Sequence, residues 1–507
     1  MAKRSKGFSK KNRLLLSFLL GYLFISLLLF DPKLFTGGDN AVYVLLAQSI
    51  TSGKGYRNIY LPDEPAHTQY PFGFPLLLCL PLLIFKNIIF LKFLIVLLGL
   101  GAFFFFYRIV EYLFKENYEF IIPFYLFIPI FIIYNHWLLS EIPFLFFSLG
   151  ALYFMVRAEQ EKKSLYIPGF ILASYAFFIR SAGISLIIGI ALYLIVKKRY
   201  QELIIFLIIF GVAFIPWQLR NMKLSAGGSY LDQLLAKNPY QLELGRATIF
   251  DLIARGWNNA IFYAFTILPL TIVPLIGLKF LLVLFGIFFT GLIIVGFIQN
   301  IKRWSILEFY LLLAVVVLLG WPRVWSSDRF LLPVLPLLLI YIFYGLKSLS
   351  KRFKFRYLPQ SLVGFIVLLN IIHLIPLIGK TVENNLAYLR GDKYAGYTQD
   401  WKRYFEVIEW IKKKVPEDKI IMARKPEFVY LLSGRKSRLY PFTRNHQKIR
   451  NAIEECDYII FDNFYWSQST RRYLAPVLQE TIGRYKIAYK TPRPEFYLLK
   501  ILKPLNP

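Results

Sequence analysis

Long apolar runs separated by short polar segments fill the first three quarters of the chain. The first run, LLLSFLLGYLFISLLLF at 14–30, approaches the roughly 20 apolar residues that cross a bilayer as a helix. No small-residue cleavage site follows it, which favours a retained first crossing over a signal peptide. Similar runs predict crossings at 119–136, 141–157, 166–180, 182–196, 202–219, 306–321, 330–346 and 357–376.

Two apolar regions, 74–107 and 261–299, are too long for one crossing and short for two. The first is compatible with two short crossings, or with a membrane-embedded piece at Phe74–Phe85 followed by one crossing. The pattern as a whole predicts an α-helical multi-pass membrane protein with about 11 transmembrane helices, and 11 to 13 are compatible with it.

Basic residues cluster beside these runs and predict the orientation of the chain. The segments at 1–13, 157–164, 197–202 and 347–356 are rich in Lys and Arg, as cytoplasmic flanks are. These four segments all lie on the cytoplasmic side if region 74–107 crosses the membrane once. Much of the net charge of +30 lies in such flanks, so membrane topology explains the charge better than nucleic-acid binding does.

This orientation divides the chain into two predicted domains. Residues 1–376 form a transmembrane domain whose segments 31–73 and 220–260 lie outside the cytoplasmic membrane. Residues 377–507 are more polar and contain short strand patterns such as ECDYIIFD, together with an amphipathic helix at WKRYFEVIEWIKKK. They predict a small extracytoplasmic α/β domain.

A carboxylate, Asp39, stands at the end of the first crossing, in FTGGDNAVYVLLAQSITSGKGY at 35–56. The following residues predict a short helix that is too polar to cross the bilayer and lies at the interface. Asp39 is therefore either a helix N-cap, accepting the free amides of Ala41 or Val42, or a functional acid. The local spacing is compatible with both.

Other polar residues occur at the outer ends of the crossings, in a fixed order. The segments are EPAHTQYPFGFPLLL at 64–78, NHWLLSEIPFLFF at 135–147, FFIRSAGIS at 177–185, IPWQLRN at 215–221 and SSDRFLLPVLPLLLIY at 326–341. Together they resemble the integral-membrane glycosyltransferases of the GT-C fold that use polyprenyl-phosphate sugars. The resemblance is to the group related to protein O-mannosyltransferases and lipid A aminoarabinose transferases, and it extends from about Asp39 to Tyr341.

The resemblance implies that Asp39 is the catalytic base of the first extracytoplasmic loop. Many members have a second acid directly after it, where this chain has Asn40. The aminoarabinose transferases also place a lysine before a proline pair, where this chain has Gln69 and Tyr70, with Phe72 instead of the second proline. The resemblance therefore does not carry the aminoarabinose donor over to this chain.

The expected chemistry explains why these residue types occur. An acceptor alcohol needs a nearby base, and a leaving phosphate needs cations, for which arginine is well shaped. The predicted catalytic residues are Asp39 and Glu141, the latter by orienting the site. Predicted donor-phosphate ligands are Arg57, His67, Arg180, Arg220 and Arg329, with Arg246 and Arg323 as further cations at the outer edge. Predicted positioning residues are Asn40, Tyr43, Tyr70 and Arg255.

Several of these residues also have purely structural interpretations. Arg180 can be a buried partner of Glu141, Arg329 can pair with Asp328, and Glu141 can simply favour a helix N-terminus. No cofactor is predicted with certainty. A divalent metal is possible, with His67, His136 and Glu141 as weak candidate ligands.

The predicted function is the transfer of one sugar from a polyprenyl-phosphate donor to an acceptor hydroxyl at the outer face of the cytoplasmic membrane, with inversion. The acceptor can be a lipid, a glycan or a protein. Two alternatives remain open: an O-antigen or oligosaccharide ligase that uses a polyprenyl-diphosphate donor, and a non-catalytic transporter or binding protein for lipid-linked glycans.

Overall fold

A computed structural model describes residues 10–114, 118–224, 230–274, 277–301 and 304–502. Its helices are α1 (Lys10–Leu28), α2 (Asn40–Thr51), α3 (Gly73–Ile84), α4 (Ile88–Leu113), α5 (Ile121–Phe127), α6 (Pro129–Ile133), α7 (Glu141–Gln160), α8 (Tyr166–Ile179), α9 (Ile184–Val196), α10 (Tyr200–Leu224), α11 (Tyr230–Leu235), α12 (Ile249–Phe262), α13 (Leu268–Ile272), α14 (Lys279–Asn300), α15 (Ile306–Gly320), α16 (Asp328–Leu331), α17 (Leu335–Phe353), α18 (Leu358–Leu389), α19 (Gln399–Lys414), α20 (Pro426–Ser433), α21 (His446–Glu454) and α22 (Ala475–Glu480). Its strands are β1 (Ile421–Met422), β2 (Ser437–Arg438), β3 (Tyr458–Phe461), β4 (Tyr485–Lys490) and β5 (Tyr497–Ile501).

The multi-pass helical architecture predicted from the apolar runs is confirmed. Among the described residues, six helices are long and apolar enough to cross a membrane: α1, α4, α7, α10, α14 and α18. The bent pair α5–α6 gives a seventh, and shorter apolar helices include α3, α8, α9 and α15. The count of 11 crossings stays a prediction. The basic segment at 1–9, which predicts a cytoplasmic N-terminus, lies outside the described residues.

The region 74–107 divides into a short helix and a long one. α3 has 12 residues and is about 18 Å long, which is well short of the roughly 30 Å hydrocarbon core. It starts against the backbone of Phe178 at the end of α8 and leads into the start of α4, where Phe93 stacks on Phe30 just beyond α1. α3 therefore begins and ends at the same end of the bundle, and α4 is the crossing helix. This geometry favours the single-crossing interpretation.

Close helix contacts in the bundle depend on small residues. A Cβ on Gly296 of α14 would lie 2.0 Å from the carbonyl oxygen of Tyr341 on α17, and one on Gly345 would lie 2.3 Å from that of Leu292. Glycine at both positions lets the two backbones approach, as is common where helices pack in membranes.

The chain after α18 forms an α/β domain at the end of the bundle where α2 and α3 lie. Its sheet has the order β2-β1-β3-β5-β4, with β1 parallel to β2 and β3, and β5 antiparallel to both β3 and β4. The predicted amphipathic helix is α19, which buries Trp401, Phe405, Ile408 and Ile411. The domain boundary predicted after residue 376 lies inside α18, because Pro376 does not end that helix.

The domain is joined to the first loop by direct hydrogen bonds. The backbone nitrogen of Ser437 donates to the carbonyl oxygen of Tyr60 at 2.9 Å. The hydroxyl of Tyr397 donates to the carbonyl oxygen of Leu34 at 2.6 Å. These contacts hold the domain over the ends of the helices and enclose a cavity between them.

Candidate active site

A cavity of about 1090 Å³ lies between the bundle and the C-terminal domain. Five of the residues predicted from the sequence line it: Asp39, Tyr43, Tyr70, Arg180 and Arg329. They come from separate parts of the chain, and they meet because α2, α8 and α16 all start or end at the same end of the bundle. This cavity is the candidate active site.

The Asp39 carboxylate faces this cavity and does not cap α2. Asp39 directly precedes α2, but its side chain makes no capping hydrogen bond. Instead, Oδ2 lies 3.4 Å from Nη2 of Arg329, and the side chain is 34% exposed. The N-cap interpretation is therefore wrong, and the carboxylate can accept a proton from a molecule in the cavity.

The turn before Asp39 requires a glycine. Gly38 has φ +63, a backbone conformation that side chains disfavour, and a Cβ there would lie 3.0 Å from Nη1 of Arg329. Asn40 stabilises the same turn, since its Nδ2 donates to the carbonyl oxygen of Gly37 at 2.7 Å. Asn40 is fully buried, so it supports the position of Asp39 without lining the cavity.

Glu141 lies behind the cavity wall and holds two arginines together. It is the first residue of α7 and is fully buried. Its Oε1 pairs with Nη1 of Arg180 and with Nε of Arg329. Glu141 does not line the cavity, and its predicted contribution, orienting the site, stays a prediction that this geometry allows. Glu141 positions the two guanidinium groups that line the cavity.

The structural interpretation of Arg180 as a partner of Glu141 is confirmed, whereas that of Arg329 is not. The carboxylate of Asp328 accepts a hydrogen bond from the backbone nitrogen of Arg329 at 2.8 Å, but the Arg329 guanidinium turns to Glu141 and Asp39. Two arginines and two carboxylates therefore form one cluster at the bundle wall.

Two tyrosines complete this wall. The hydroxyl of Tyr43 donates to Oγ of Ser140 at 3.4 Å, and the same Oγ accepts from Nη1 of Arg180 at 3.1 Å. The ring of Tyr70 packs 5.3 Å from that of Tyr43. Burial, followed by the charge of Asp39, raises the pKa of Tyr70 well above its usual value. The Tyr70 phenol is thus a neutral hydroxyl close to the Asp39 carboxylate.

Three predicted phosphate ligands stabilise the first loop instead of lining the cavity. Nη1 of Arg57 donates to the carbonyl oxygen of Glu64 at 3.1 Å, and Nη1 of Arg220 donates to that of His67 at 3.0 Å. His67 uses both ring nitrogens, one 2.7 Å from Oδ1 of Asn58 and the other accepting from the backbone nitrogen of Tyr70. These hydrogen bonds give all three residues a structural role in the first loop, and their predicted roles as phosphate ligands stay predictions.

Arg255, predicted to position substrate, is also a structural residue. Its guanidinium donates to the carbonyl oxygens of Leu234 and Ala236 at 2.8 and 2.7 Å, which joins α12 to the C-terminal end of α11. It does not line the cavity. The further cations Arg246 and Arg323 pair with Asp232 and lie over the Phe262 ring, respectively.

The candidate metal ligands do not come together. Within the described ranges, no group of three or more His, Cys, Asp or Glu residues is arranged to hold a metal ion. Both nitrogens of His67 are engaged, Glu141 faces two arginines, and His136 is buried with its ring 6.1 Å from that of Phe30. The sequence analysis leaves a divalent metal possible without requiring one, and this point stays untested.

The opposite wall of the cavity belongs to the C-terminal domain and was missed by the sequence analysis. Arg424 and Lys425 follow β1, and Tyr440 follows β2, so all three lie at the carboxyl ends of parallel strands. Open α/β sheets bind ligands at this edge, where neighbouring connections diverge, as they do around β1 in the order β2-β1-β3. Trp401 and Trp466 complete the wall. The charged pair directly after the apolar strand KIIMA was the available signal.

Arg424 differs from the other cations of the cavity. Its Nε donates to Oγ of Ser467 at 3.3 Å, and the guanidinium lies 5.0 and 5.4 Å from the rings of Phe442 and Trp466. Arg180 and Arg329 pair with Glu141, and Lys425 lies 3.5 Å from Glu427. Among the cavity-lining cations that the structure describes, only Arg424 forms no ion pair with a carboxylate.

Comparison with known proteins identifies the fold. The structure of ArnT from Cupriavidus metallidurans bound to undecaprenyl phosphate aligns with a TM-score of 0.60 and 11% sequence identity, covering 98% of this chain and 100% of that chain. The chain has the fold of ArnT. The apo structure of the same protein aligns with a TM-score of 0.59, at the same identity and coverage. ArnT is an aminoarabinose transferase of the GT-C fold, so the fold implied by the sequence resemblance is confirmed.

Sequence comparisons add nothing to this fold match. No family model matches the chain, and no curated protein matches it. An identity of 11% establishes a shared fold, and the chemistry has to be argued from the site itself.

Proposed function

We propose that this chain is a glycosyltransferase that moves a single sugar from a polyprenyl-phosphate donor to an acceptor hydroxyl at the outer face of the cytoplasmic membrane. The observation that carries the proposal is the cluster of Asp39 with Arg329 and Arg180 in a cavity where the membrane helices end. A lipid-anchored sugar can reach this depth while its polyprenyl chain stays in the bilayer. The ArnT fold, bound to undecaprenyl phosphate in the solved relative, supports the donor class.

In the proposed reaction, Asp39 acts as the general base. The acceptor hydroxyl transfers its proton to the Asp39 carboxylate while its oxygen bonds to the anomeric carbon of the donor sugar. The bond from that carbon to the phosphate oxygen breaks, and the electron pair leaves with the polyprenyl phosphate. A single displacement of this kind inverts the anomeric configuration.

Arg180 and Arg329 stabilise the charge that develops on the leaving phosphate. Oδ2 of Asp39 lies 3.4 Å from Nη2 of Arg329, so protonation of Asp39 removes one carboxylate charge from that arginine. This happens in the same step in which the phosphate gains charge. Arg329 therefore binds the phosphate more strongly in the step in which the phosphate leaves the sugar.

The C-terminal domain supplies the acceptor side of the cavity in this proposal. The aromatic rings of Trp401, Tyr440 and Trp466 offer flat apolar faces that suit the C–H faces of a sugar. Arg424, without a carboxylate partner among the described residues, offers hydrogen bonds to hydroxyl or acidic groups of the acceptor.

The donor class is tested first, by mass spectrometry of lipids that co-purify with the full chain. A polyprenyl monophosphate, free or carrying one sugar, is the expected result. A polyprenyl-diphosphate glycan would instead identify a ligase. The absence of any polyprenyl lipid, together with no binding of added undecaprenyl phosphate, would contradict the proposed donor.

The base is tested with Asp39→Asn, which keeps the size of the side chain. In membrane vesicles supplied with labelled polyprenyl-phosphate sugars, this variant is expected to lower transfer of label out of the donor lipid by about 10²–10⁴-fold. Asp63→Asn is a matched control, because Asp63 is an exposed acid of the same loop that does not line the cavity. Unchanged transfer by Asp39→Asn would refute the base assignment, and a transporter or binding protein would also show no change.

A further inference from the structure

A second cavity, of about 780 Å³, lies on the other side of α2. It is enclosed by α2, the turn from α3 to α4, the end of α18 and the helix α19 of the C-terminal domain. Val44 and Gln48 of α2 line it, whereas Tyr43 of the same helix lines the candidate active site. α2 therefore separates the two cavities.

The walls of this second cavity are apolar and its rim is basic. The apolar residues from the bundle include Leu82, Ile88 and Leu91, and those from the C-terminal domain include Phe405, Ile408 and Leu431. The basic residues of the rim are Lys86 from the bundle, and Lys393 and Lys412 from the C-terminal domain, and all three are exposed. A fourth lining lysine, Lys33, is buried. Glu409 is the one acid among the lining residues that the structure describes.

The lysines are only partly neutralised. Nζ of Lys33 lies 2.7 Å from Asp31, and Nζ of Lys393 lies 3.9 Å from Glu409. Lys86 and Lys412 form no ion pair with any acid of the described ranges, so the cavity has a net positive charge. An anionic group is therefore the favoured occupant.

The neighbouring residues place this cavity at the depth of the lipid headgroups. Leu83 and Ile84, just before Lys86, are 70% and 73% exposed in a chain whose exposed apolar helix faces meet lipid. α18 has 32 residues and is about 48 Å long, so its last turn extends beyond a hydrocarbon core of roughly 30 Å. Tyr388 and Leu389 of that last turn line the cavity.

A smaller apolar groove of about 320 Å³ adjoins this cavity at the ends of α1, α4 and α18. The groove and the cavity share Pro32, Tyr388 and Leu389, and the groove runs along Leu27 of α1 and Ile89 of α4. A basic cavity that opens into an apolar groove matches a molecule with a charged head and a hydrocarbon tail.

We propose that this second cavity binds an anionic phospholipid of the bilayer, with its headgroup among the three exposed lysines and one acyl chain in the apolar groove. A soluble anion would not use the apolar walls, and a zwitterionic phospholipid would not offset the charge of the lysines. The headgroup bridges Lys86 of the bundle and the two lysines of the C-terminal domain. It thereby holds the domain over the active-site cavity, and this role does not depend on the proposed reaction.

The test compares phospholipids on the intact chain. Delipidated protein is titrated with phosphatidylglycerol or phosphatidylcholine, and bound lipid is counted by native mass spectrometry. The wild type is expected to retain phosphatidylglycerol preferentially. Lys86→Gln/Lys412→Gln should weaken that binding by roughly 20- to 30-fold, since each basic group near an anionic headgroup changes affinity about fivefold. Lys86→Arg/Lys412→Arg should restore it.

A matched double variant controls for the loss of charge. Lys197 and Lys351 are exposed at the ends of α9 and α17 and do not line either cavity, so Lys197→Gln/Lys351→Gln should bind phosphatidylglycerol as the wild type does. Equal retention of both phospholipids by the wild type would overturn the proposal, even if the Lys86/Lys412 variant failed to fold. Displacement of phosphatidylglycerol by equimolar undecaprenyl phosphate, with the same dependence on Lys86 and Lys412, would overturn it in favour of a polyprenyl lipid.

Discussion

Replacing Glu141 by glutamine removes the one carboxylate that Arg180 contacts in the described part of the chain, and one of two that Arg329 contacts. Glu141 is fully buried, so the two guanidinium groups lose a buried counter-charge, although 10% of the Arg180 side chain and 18% of the Arg329 side chain stay exposed to the cavity. Breaking a buried ion pair from one side costs about 3–5 kcal/mol, because the remaining charge is left uncompensated.

The partners that remain reduce this cost. Arg329 keeps Asp39 at 3.4 Å, and Arg180 keeps Oγ of Ser140 at 3.1 Å. We therefore expect Glu141→Gln to lower the free energy of unfolding by about 3 kcal/mol, the low end of that range. Asp39→Asn should cost less than about 1 kcal/mol, since the Asp39 side chain is 34% exposed and Arg329 retains Glu141.

The assay is equilibrium denaturation of the purified full chain in detergent, with all variants measured side by side. Glu161→Gln is the matched control, because it removes the same group from an exposed pair with Arg157, for which little change in stability is expected. A Glu141→Gln variant as stable as Glu161→Gln would refute the reasoning. So would an Asp39→Asn variant that is less stable than Glu141→Gln.

Three further predictions concern other parts of the chain. Arg424→Gln should raise the acceptor KM and leave undecaprenyl-phosphate binding unchanged. Arg484→Gln, at a partly exposed arginine outside the cavity, should change neither, and a loss of lipid binding by Arg424→Gln would assign Arg424 to the donor instead. Gly296→Ala should lower the thermal midpoint, because its Cβ would meet the facing backbone, whereas Gly291→Ala has open space and should be neutral or slightly stabilising. Burial raises the pKa of the Asp462 carboxyl to about 6. Between pH 3.8 and 6 the folded state therefore binds more protons than the unfolded state. As a result, the free energy of unfolding falls as the pH rises through this range. Asp462→Asn should therefore stabilise the protein by up to about 3 kcal/mol at pH 7 and by nothing below pH 4, as measured by denaturation at both pH values.

Much of the fold could be predicted because helices that cross a bilayer appear in the sequence as long apolar segments. Helices such as α4, α10 and α14 expose apolar side chains to lipid, so their whole length is apolar and stands out. The domain boundary after residue 376 was predicted from the end of an apolar run, and it stays a prediction. In α18 the helix continues through Pro376 to Leu389, as membrane helices often do.

The site could be predicted in part. Asp39, Arg180 and Arg329 interrupt or border apolar runs, where an ionisable group is costly and therefore informative. Arg57, Arg220 and Arg255 carry the same side chain at the same end of the bundle, but they donate to loop carbonyl oxygens. A guanidinium that holds a loop and one that faces a cavity have the same local sequence signature, so only the tertiary structure separates them.

The dependence of the site on tertiary contacts also explains why the sequence analysis missed the cavity wall formed by the C-terminal domain. Arg424 follows a strand of two residues, and it reaches the cavity only because the domain is held against the first loop by contacts such as that of Ser437 with Tyr60. Such contacts join residues several hundred positions apart, and no local pattern encodes them.

The bundle wall and the C-terminal-domain wall of the cavity differ in charge, and this difference suggests a separate role for each in the proposed reaction. At the bundle wall, two arginines face Glu141 and Asp39, so the cluster is formally neutral at rest. If Asp39 takes a proton from the acceptor, as proposed, this wall becomes positive at the moment when the leaving phosphate gains charge. Arg424 on the opposite wall forms no ion pair among the described residues, although the charge of the buried Asp462 acts on it. Its guanidinium can therefore bind an acceptor before the reaction starts. The bundle wall is thus suited to the transition state, and the domain wall to the ground state of the acceptor.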